Sequence, residues 1–166
     1  MTEPCNATAY MARAIQLAER GRYTTHPNPR VGCVLVKNDQ IVGEGWHKHA
    51  GEAHAEVNAI ADAGAQAVGS TAYVTLEPCC HTGRTGPCTQ ALIDAGVVHV
   101  VAAMTDPNPA VAGQGLAQLE EAGIKTESGL LHSEAEKLNR GFISRMTRQR
   151  PWVTLKLASS LDGRTA

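Results

Sequence analysis

The chain has 166 residues, a formal net charge of −1 and five cysteines, and 43% of its residues are hydrophobic. This length suits one domain with its own core, whereas the charge lacks the basic excess of nucleic-acid-binding proteins and no run approaches the roughly 18 apolar residues of a membrane span. An odd cysteine count, with no charged and then apolar segment at the start, disfavours a secreted disulfide framework, so we expect a cytoplasmic protein with a small-molecule partner.

The first part of the chain predicts a helix, a hairpin and a second helix. Apolar residues recur at three- and four-residue spacing over 7–18, before Gly21, as in an amphipathic helix that glycine ends. Two β-forming runs, 31–36 and 41–46, are joined by turn-forming residues and predict a hairpin. The next segment, 54–64, has one apolar face and predicts a helix whose first turn holds a histidine and a glutamate.

The second part alternates strands with helices. Strands are expected at 71–76, 97–103 and 124–127, and helical spacing is found from Pro87 to Gly96, before Gly123 and over 131–142. This alternation predicts α/β layers with a largely parallel sheet apart from the hairpin. Ligands of such sheets collect beyond the carboxyl ends of the strands, where the 71–76 strand delivers Cys79.

Two separated clusters predict a catalytic zinc site. They are His54-Ala55-Glu56 and Pro78-Cys79 with Cys88. One imidazole and two thiolates fill three tetrahedral positions of Zn²⁺ and leave the fourth for a water whose pKa the metal lowers toward about 7. A His-x-Glu and Pro-Cys pairing of this kind marks nucleobase deaminases, in which the glutamate carries protons and is not a ligand. We therefore expect His54, Cys79 and Cys88 as ligands and Glu56 as the catalytic acid and base.

Other uses of these residues remain open from spacing alone. On a regular helix His54 and Glu56 point about 200° apart, so their convergence depends on the first turn and its neighbours. A structural zinc site would need a fourth protein ligand, for which Cys80 or His81 is available. A cysteine at a helix amino terminus has a lowered pKa, which is expected for Cys88 if Pro87 starts the helix. Cys5 and Cys33 are expected to be small core residues.

Four further segments carry a resemblance to a known family. They are His26-Pro27-Asn28-Pro29-Arg30-Val31-Gly32, Gly43-Glu44-Gly45-Trp46-His47, Glu77-Pro78-Cys79-Cys80-His81-Thr82-Gly83-Arg84-Thr85-Gly86-Pro87-Cys88 and Asp106-Pro107-Asn108-Pro109. With them the chain resembles the cytidine deaminase superfamily, and more closely the deaminase domain of the bifunctional riboflavin-biosynthesis deaminase/reductases. The eight residues between Cys79 and Cys88, where tRNA and free-cytidine deaminases have two, are that family's own form.

The resemblance implies a fold and a reaction. The fold is a three-layer α/β/α cytidine deaminase-like domain with a mixed, roughly five-stranded sheet. The reaction is the zinc-dependent hydrolytic deamination of 2,5-diamino-6-(5-phosphoribosylamino)pyrimidin-4(3H)-one to 5-amino-6-(5-phosphoribosylamino)uracil and ammonia. One Zn²⁺ per chain and a dimer or tetramer of identical chains are implied as well.

The resemblance also implies which residues contact the substrate. Asn28 and Asn108 each lie between two prolines, which restrict the backbone and hold each amide at a defined angle for a pyrimidinone edge. His47 and Asp106 are expected to contact the base or the ribose. His81 and Arg84 are expected to face the 5′-phosphate, although the family often has lysine where this chain has Arg84.

The end of the chain resembles the start of a second domain. We expect residues 1–147 to form the zinc-dependent deaminase domain and residues 148–166 to form a linker and the first strand, 152–157, of a truncated reductase domain. NADPH would serve only that missing domain, so this chain is expected to lack reductase activity. The alternatives are a cytidine deaminase or tRNA adenosine deaminase of the same superfamily, or a non-enzymatic interaction module stapled by zinc. A tRNA enzyme would be expected to show a basic surface and the short cysteine spacing.

Overall fold

Five strands form one mixed sheet in the computed structural model, which describes residues 6–82, 86–109 and 111–165. The strands are β1 (Gly32–Lys37), β2 (Gln40–Trp46), β3 (Thr71–Val74), β4 (His99–Ala102) and β5 (Lys125–Ser128), in the spatial order β2-β1-β3-β4-β5. The β3–β4 and β4–β5 pairs are parallel, whereas β1 is antiparallel to both β2 and β3. The expected mixed sheet is confirmed, but it is less parallel than the alternation of elements predicted, because the hairpin places β1 between β2 and β3.

Helices cover both faces of this sheet. They are α1 (Ala7–Glu19), α2 (Ala55–Ala63), α3 (Cys88–Asp94), α4 (Gln114–Glu121), α5 (His132–Leu138) and α6 (Arg140–Arg148), with a 3-10 turn at Gly64–Ala67. One core lies between the sheet and helices α2, α3 and α4, and contains Ala59, Leu92 and Leu119. The other lies beneath α1 and α5 and contains Met11 and Ala135. The three-layer α/β/α architecture is therefore confirmed.

Two glycines let helices lie directly on the hairpin. A Cβ atom on Gly45 of β2 would stand 2.3 Å from the carbonyl oxygen of Ala55, and one on Gly32 of β1 would stand 2.0 Å from that of Ala14. Any larger residue would push the helix away, since real Cβ atoms do not approach a carbonyl oxygen so closely. The contact at Gly45 places the first turn of α2 against the end of β2.

The periodic segment over 131–142 forms two helices and not one. Asn139 separates α5 from α6 with a backbone (φ −117°, ψ 25°) outside the α-helical region. Asparagine favours such breaks because its side chain competes for backbone hydrogen bonds.

The predicted strand at 152–157 is not formed. The described residues from 151 to 165 contain no strand, and Val153, Leu155 and Leu157 are more than 70% exposed. An extended segment becomes a strand only when a neighbour pairs with its backbone, and none of the five strands does so. None of the helices in the described part of the chain has both the length and the apolar character needed to cross a membrane.

Candidate metal centre and active site

The two predicted clusters meet where two helices begin. His54 is the N-cap of α2, Cys88 is the first residue of α3, and Cys79 lies in the loop after β3. The cap residue has an extended backbone (φ −74°, ψ 170°), so His54 does not follow the helical spacing that would turn its side chain away from Glu56. The convergence that spacing left open is thus achieved because the helix starts one residue after the histidine.

The geometry of three donor atoms fits a tetrahedral zinc ion. His54 Nδ1 lies 3.2 Å from Cys88 Sγ and 3.5 Å from Cys79 Sγ. With the usual Zn–N and Zn–S bond lengths, a tetrahedral ion holds such a nitrogen and sulfur roughly 3.5 Å apart. The three ligand atoms lie within 4.8 Å of one another, and Cys88 is fully buried. A borderline-soft cation of the size of Zn²⁺ therefore fits this donor set.

Hydrogen bonds from two neighbours, His54 and the backbone N–H of Cys88, converge on the sulfur of Cys79. Hydrogen bonds from the Cys88 thiol, from His54 and from the backbone N–H of Cys88 lower the pKa of Cys79 to about 4. The pKa of Cys88 is instead raised, by its hydrogen bond to Cys79 and by burial. The lowered pKa expected at Cys88 is not found, because the N–H group at the start of α3 donates to the sulfur of Cys79. A cation held by both sulfurs would displace the proton that remains on the pair.

Glu56 is buried next to the three donors. Only 3% of the residue is exposed, and burial together with the Cys79 charge raises its pKa to about 7. A carboxyl group with such a pKa can take up and release a proton near neutral pH, as a general acid and base must. Its carboxyl group interacts with the Cys88 side chain, which places it beside the cluster.

Asn28 and His47 form a hydrogen-bonded pair in the same cavity. Burial lowers the pKa of His47, so its ring is neutral at pH 7. Its Nδ1 lies 3.2 Å from the carbonyl oxygen of Ala53, which requires the Nδ1–H tautomer. Its Nε2 then accepts a hydrogen bond of 3.1 Å from Nδ2 of Asn28. The pair orients the Asn28 amide and leaves Oδ1 as its atom for accepting a hydrogen bond from a ligand.

Glu77 organises the loop that carries Asp106 and Asn108. Its buried carboxylate accepts hydrogen bonds from four backbone N–H groups, those of Asp106, Gly113, Gly115 and Leu116. Asp106 in turn accepts one from the backbone N–H of Asn108, and burial raises its own pKa. Sequence analysis placed Glu77 in a motif without giving it a role, although a glutamate directly before the Pro-Cys pair was the available signal.

These residues line one cavity of about 500 Å³. Its walls contain the predicted site residues Asn28, His47, His54, Glu56, Cys79, His81, Asp106 and Asn108. Helix α6 adds Phe142 and Met146, which sequence analysis did not assign to the site. The spacing of Phe142 indicated only a packed helix face, and Met146 lies beyond the segment predicted to be helical. His81 is exposed at this cavity, and Arg84 lies outside the described residues.

The remaining cysteines differ in their surroundings. Cys33 is fully buried in the core, as expected, whereas Cys5 lies outside the described residues. Cys80 has its sulfur 4.0 Å from Oε1 of Gln114. Among the described residues, neither Cys80 nor His81 belongs to the group of donors around His54. In the described part of the chain, a structural site with four protein ligands therefore lacks its fourth donor.

The sequence of this chain is similar to those of known zinc-binding deaminases. The family model described as the cytidine and deoxycytidylate deaminase zinc-binding region matches residues 4–104. The riboflavin biosynthesis protein RibD of Escherichia coli is 64% identical over 157 residues, which are 95% of this chain and 43% of that protein. A diaminohydroxyphosphoribosylamino-pyrimidine deaminase of Buchnera aphidicola (subsp. Schizaphis graminum) is 54% identical over 82% of this chain and 93% of its own length.

A solved structure has the same fold as this chain. RibD of Acinetobacter baumannii superposes with a TM-score of 0.94 at 57% identity, over 97% of this chain and 45% of that one. The chain thus spans less than half the length of the RibD proteins that it matches, but nearly the whole of the shorter deaminase.

Proposed function

The chain belongs to the cytidine and deoxycytidylate deaminase family, and on this premise we propose that it hydrolytically deaminates a phosphorylated diaminopyrimidinone in riboflavin biosynthesis. The substrate proposed is 2,5-diamino-6-(5-phosphoribosylamino)pyrimidin-4(3H)-one, and the products are 5-amino-6-(5-phosphoribosylamino)uracil and ammonia. The observation that carries the reaction class is the buried carboxyl group of Glu56 beside three zinc-compatible donors, of which His54 and Cys79 line the same cavity as Glu56.

The choice of substrate draws on the relatives. The Buchnera protein named for this deamination is covered over 93% of its length, so the part that it shares with this chain is nearly all of it. The longer RibD proteins match over the same part. A pocket of about 500 Å³ is in the range that small-molecule ligands occupy.

The metal ligands proposed are His54, Cys79 and Cys88. A bound Zn²⁺ would supply Lewis acidity and lower the pKa of a water in its fourth position. The two cysteines would release the proton that they share when they ligate the ion. One Zn²⁺ per chain remains our prediction for the stoichiometry.

Glu56 is proposed as the proton carrier. Its carboxylate would accept a proton from the attacking water and donate a proton to the departing amino group, which leaves as ammonia. A group with a pKa of about 7 suits both halves of this transfer, because it loses and regains a proton at little cost near neutral pH.

The substrate contacts are proposed from the two loops at the cavity. The Oδ1 atom of Asn28 would accept a hydrogen bond from an N–H of the pyrimidinone, because its amide nitrogen is engaged by His47. Asp106 and Asn108 would contact the base or ribose from the loop that Glu77 organises. His81, exposed at the cavity, and Arg84 are proposed to face the phosphate.

The domain boundary, the use of NADPH, the oligomeric state and the cellular location also remain proposals. We place the end of the deaminase domain at residue 147, with 148–166 as the linker and first strand of a reductase domain, which is supported by the exposed apolar side chains of Val153, Leu155 and Leu157. NADPH would serve that reductase domain alone. A homo-oligomer and a cytoplasmic location stay predictions.

The test is ammonia release from three separate substrates. The purified chain is loaded with zinc and supplied with the diaminopyrimidinone ribotide, cytidine or tRNA. We expect ammonia from the ribotide only, and far less of it from the Glu56→Gln variant. Activity confined to cytidine or tRNA would overturn the substrate, and zinc binding without ammonia release from any of the three would favour an interaction module.

A further inference from the structure

The loop that carries Asn28 is held by a residue more than one hundred positions away in the chain. Asn139, between α5 and α6, accepts a hydrogen bond of 2.8 Å from the backbone N–H of Arg30 and donates one of 2.8 Å to the carbonyl oxygen of Arg30. The side chain thus satisfies both backbone groups of one residue, as a neighbouring strand would. Only 5% of Asn139 is exposed, so water does not compete for these bonds.

A second contact joins the same two regions. Arg145 of α6 donates a hydrogen bond of 2.8 Å from Nη2 to the carbonyl oxygen of Pro27. Asn139 and Arg145 therefore hold the chain on both sides of Asn28, at Arg30 and at Pro27. The same helix contributes Phe142 and Met146 to the cavity wall.

The region that makes these contacts lies outside the matched family model, which ends at residue 104. Nothing in the zinc chemistry requires it, since the three donors and Glu56 all lie before that point. We infer that Asn139 and Arg145 are positioning residues that hold the 26–31 loop, and with it the Asn28 amide, in the geometry that binds the pyrimidine. The inference rests on the proposed function, because it assigns the purpose of the loop to that substrate.

The energetic consequence follows from preorganisation. Without the two hydrogen bonds at Arg30, the loop samples more conformations and substrate binding must order it. The groups that perform the chemistry stay in place, because α2 and α3 hold them through other contacts. Loss of Asn139 should therefore raise KM and leave kcat nearly unchanged, whereas loss of a chemical group lowers kcat.

Two substitutions of Asn139 remove either both or one of its hydrogen bonds to Arg30. Asn139→Leu removes both hydrogen bonds while it keeps the number and branching of the side-chain heavy atoms, and Asn139→Asp keeps the acceptor for the Arg30 N–H but loses the donor. A matched control is Asn6→Leu, because Asn6 precedes α1 with almost the same backbone (φ −118°, ψ 0°), is exposed and makes no side-chain capping bond. Arg145→Gln, at an exposed position, tests the hydrogen bond between Arg145 and Pro27. Its control is Arg148→Gln in the last turn of the same helix.

Amide hydrogen exchange at Arg30 measures the strength of its hydrogen bond to Asn139, and no substrate is needed. We expect faster exchange of the Arg30 amide in Asn139→Leu, less change in Asn139→Asp and none in Asn6→Leu. With the ribotide we expect KM to rise about ten-fold in Asn139→Leu, the size of a lost buried hydrogen bond, and several-fold in Arg145→Gln, with kcat within two-fold of the unmodified chain.

The outcomes separate this inference from the proposed function. If the unmodified chain does not deaminate the ribotide, the proposed function is contradicted. The rate of amide hydrogen exchange at Arg30 still decides whether Asn139 holds the loop. If the chain is active and its Asn139→Leu variant keeps the same KM, the positioning role is overturned. A variant in which kcat falls as strongly as KM rises overturns it as well. If Asn139→Leu does not fold, the KM of the exposed Arg145→Gln variant decides, and an unchanged KM there overturns the inference.

Discussion

The backbone N–H of Cys88 donates a hydrogen bond of 3.4 Å to the sulfur of Cys79, nine positions earlier in the chain. This bond joins the two ends of the long insert between the cysteines, and a second bond from the N–H of Thr89 to the carbonyl oxygen of Cys79 supports it. Although eight residues separate the two cysteines, both sulfurs therefore lie beside Nδ1 of His54, at 3.5 Å for Cys79 and 3.2 Å for Cys88.

Substitution of one sulfur should remove the metal. We expect Cys88→Ser to lose most of its zinc and to melt at a lower temperature, because a serine hydroxyl is a poorer zinc ligand and metal binding is coupled to folding. Cys80→Ser is the matched control, since Cys80 is the next residue to Cys79 but is not among the clustered donors. Metal analysis by mass spectrometry measures the result. Stoichiometric zinc in purified Cys88→Ser would point to a different ligand set.

Substitution of the proton carrier should separate metal binding from turnover. We expect Glu56→Gln to keep its zinc and to lose activity by a factor of about 10² to 10⁴, because the amide cannot carry a proton. Glu121→Gln, exposed at the end of α4, serves as the control. Ammonia release and zinc content are measured on the same preparation. A fully active Glu56→Gln protein would refute the role of this residue.

The carboxylate of Glu77 should be needed for its charge and for both oxygens. In Glu77→Gln one oxygen becomes an NH₂ group that faces two N–H donors, so two of the four hydrogen bonds are lost. We expect the free energy of unfolding to fall by about 2–4 kcal/mol, as for buried donors left unsatisfied. Urea unfolding measures it, with Glu121→Gln again as the control. A loss below the error of the measurement would contradict the organising role of Glu77.

The ion pair between α1 and β2 should make stability depend on pH. Glu44 accepts two hydrogen bonds from Arg13, of 2.7 and 2.9 Å, and the bond to Arg13 lowers the pKa of Glu44 below its usual value of 4.5. A lowered folded-state pKa stabilises the fold above the unfolded-state value, and this contribution is lost as pH falls through the folded-state value.

Glu44→Gln is therefore expected to destabilise the protein at pH 7 by no more than about 1 kcal/mol, since the pair is partly exposed to solvent. The difference from the unmodified chain should shrink as pH falls below 4.5. Urea unfolding at a series of pH values measures this. A difference that stays constant from pH 7 to pH 3 would exclude the ion pair as its cause.

Particular residues show how far sequence reasoning reached. Helices α1 and α2 and the hairpin were predicted within a few residues, because each has a strong local period and ends at glycine or at turn formers. The strand predicted at 152–157 is not formed in this chain, because a strand needs a neighbour to pair with and such pairing cannot be read from the segment itself. The break at Asn139 was missed because the apolar spacing continues across it.

The sequence by itself determined the donor types, the carboxylate two positions from the histidine and the order of helices and strands, since residue identity and local periodicity suffice for these. Only the tertiary structure decided that His54 is a cap residue in an extended conformation, that the N–H at the start of α3 donates to the sulfur of Cys79, and that Glu77 and Asn139 organise the two loops at the cavity. These depend on hydrogen bonds between positions far apart in the chain. Such bonds are set by how the layers pack, and no local pattern of residues records them.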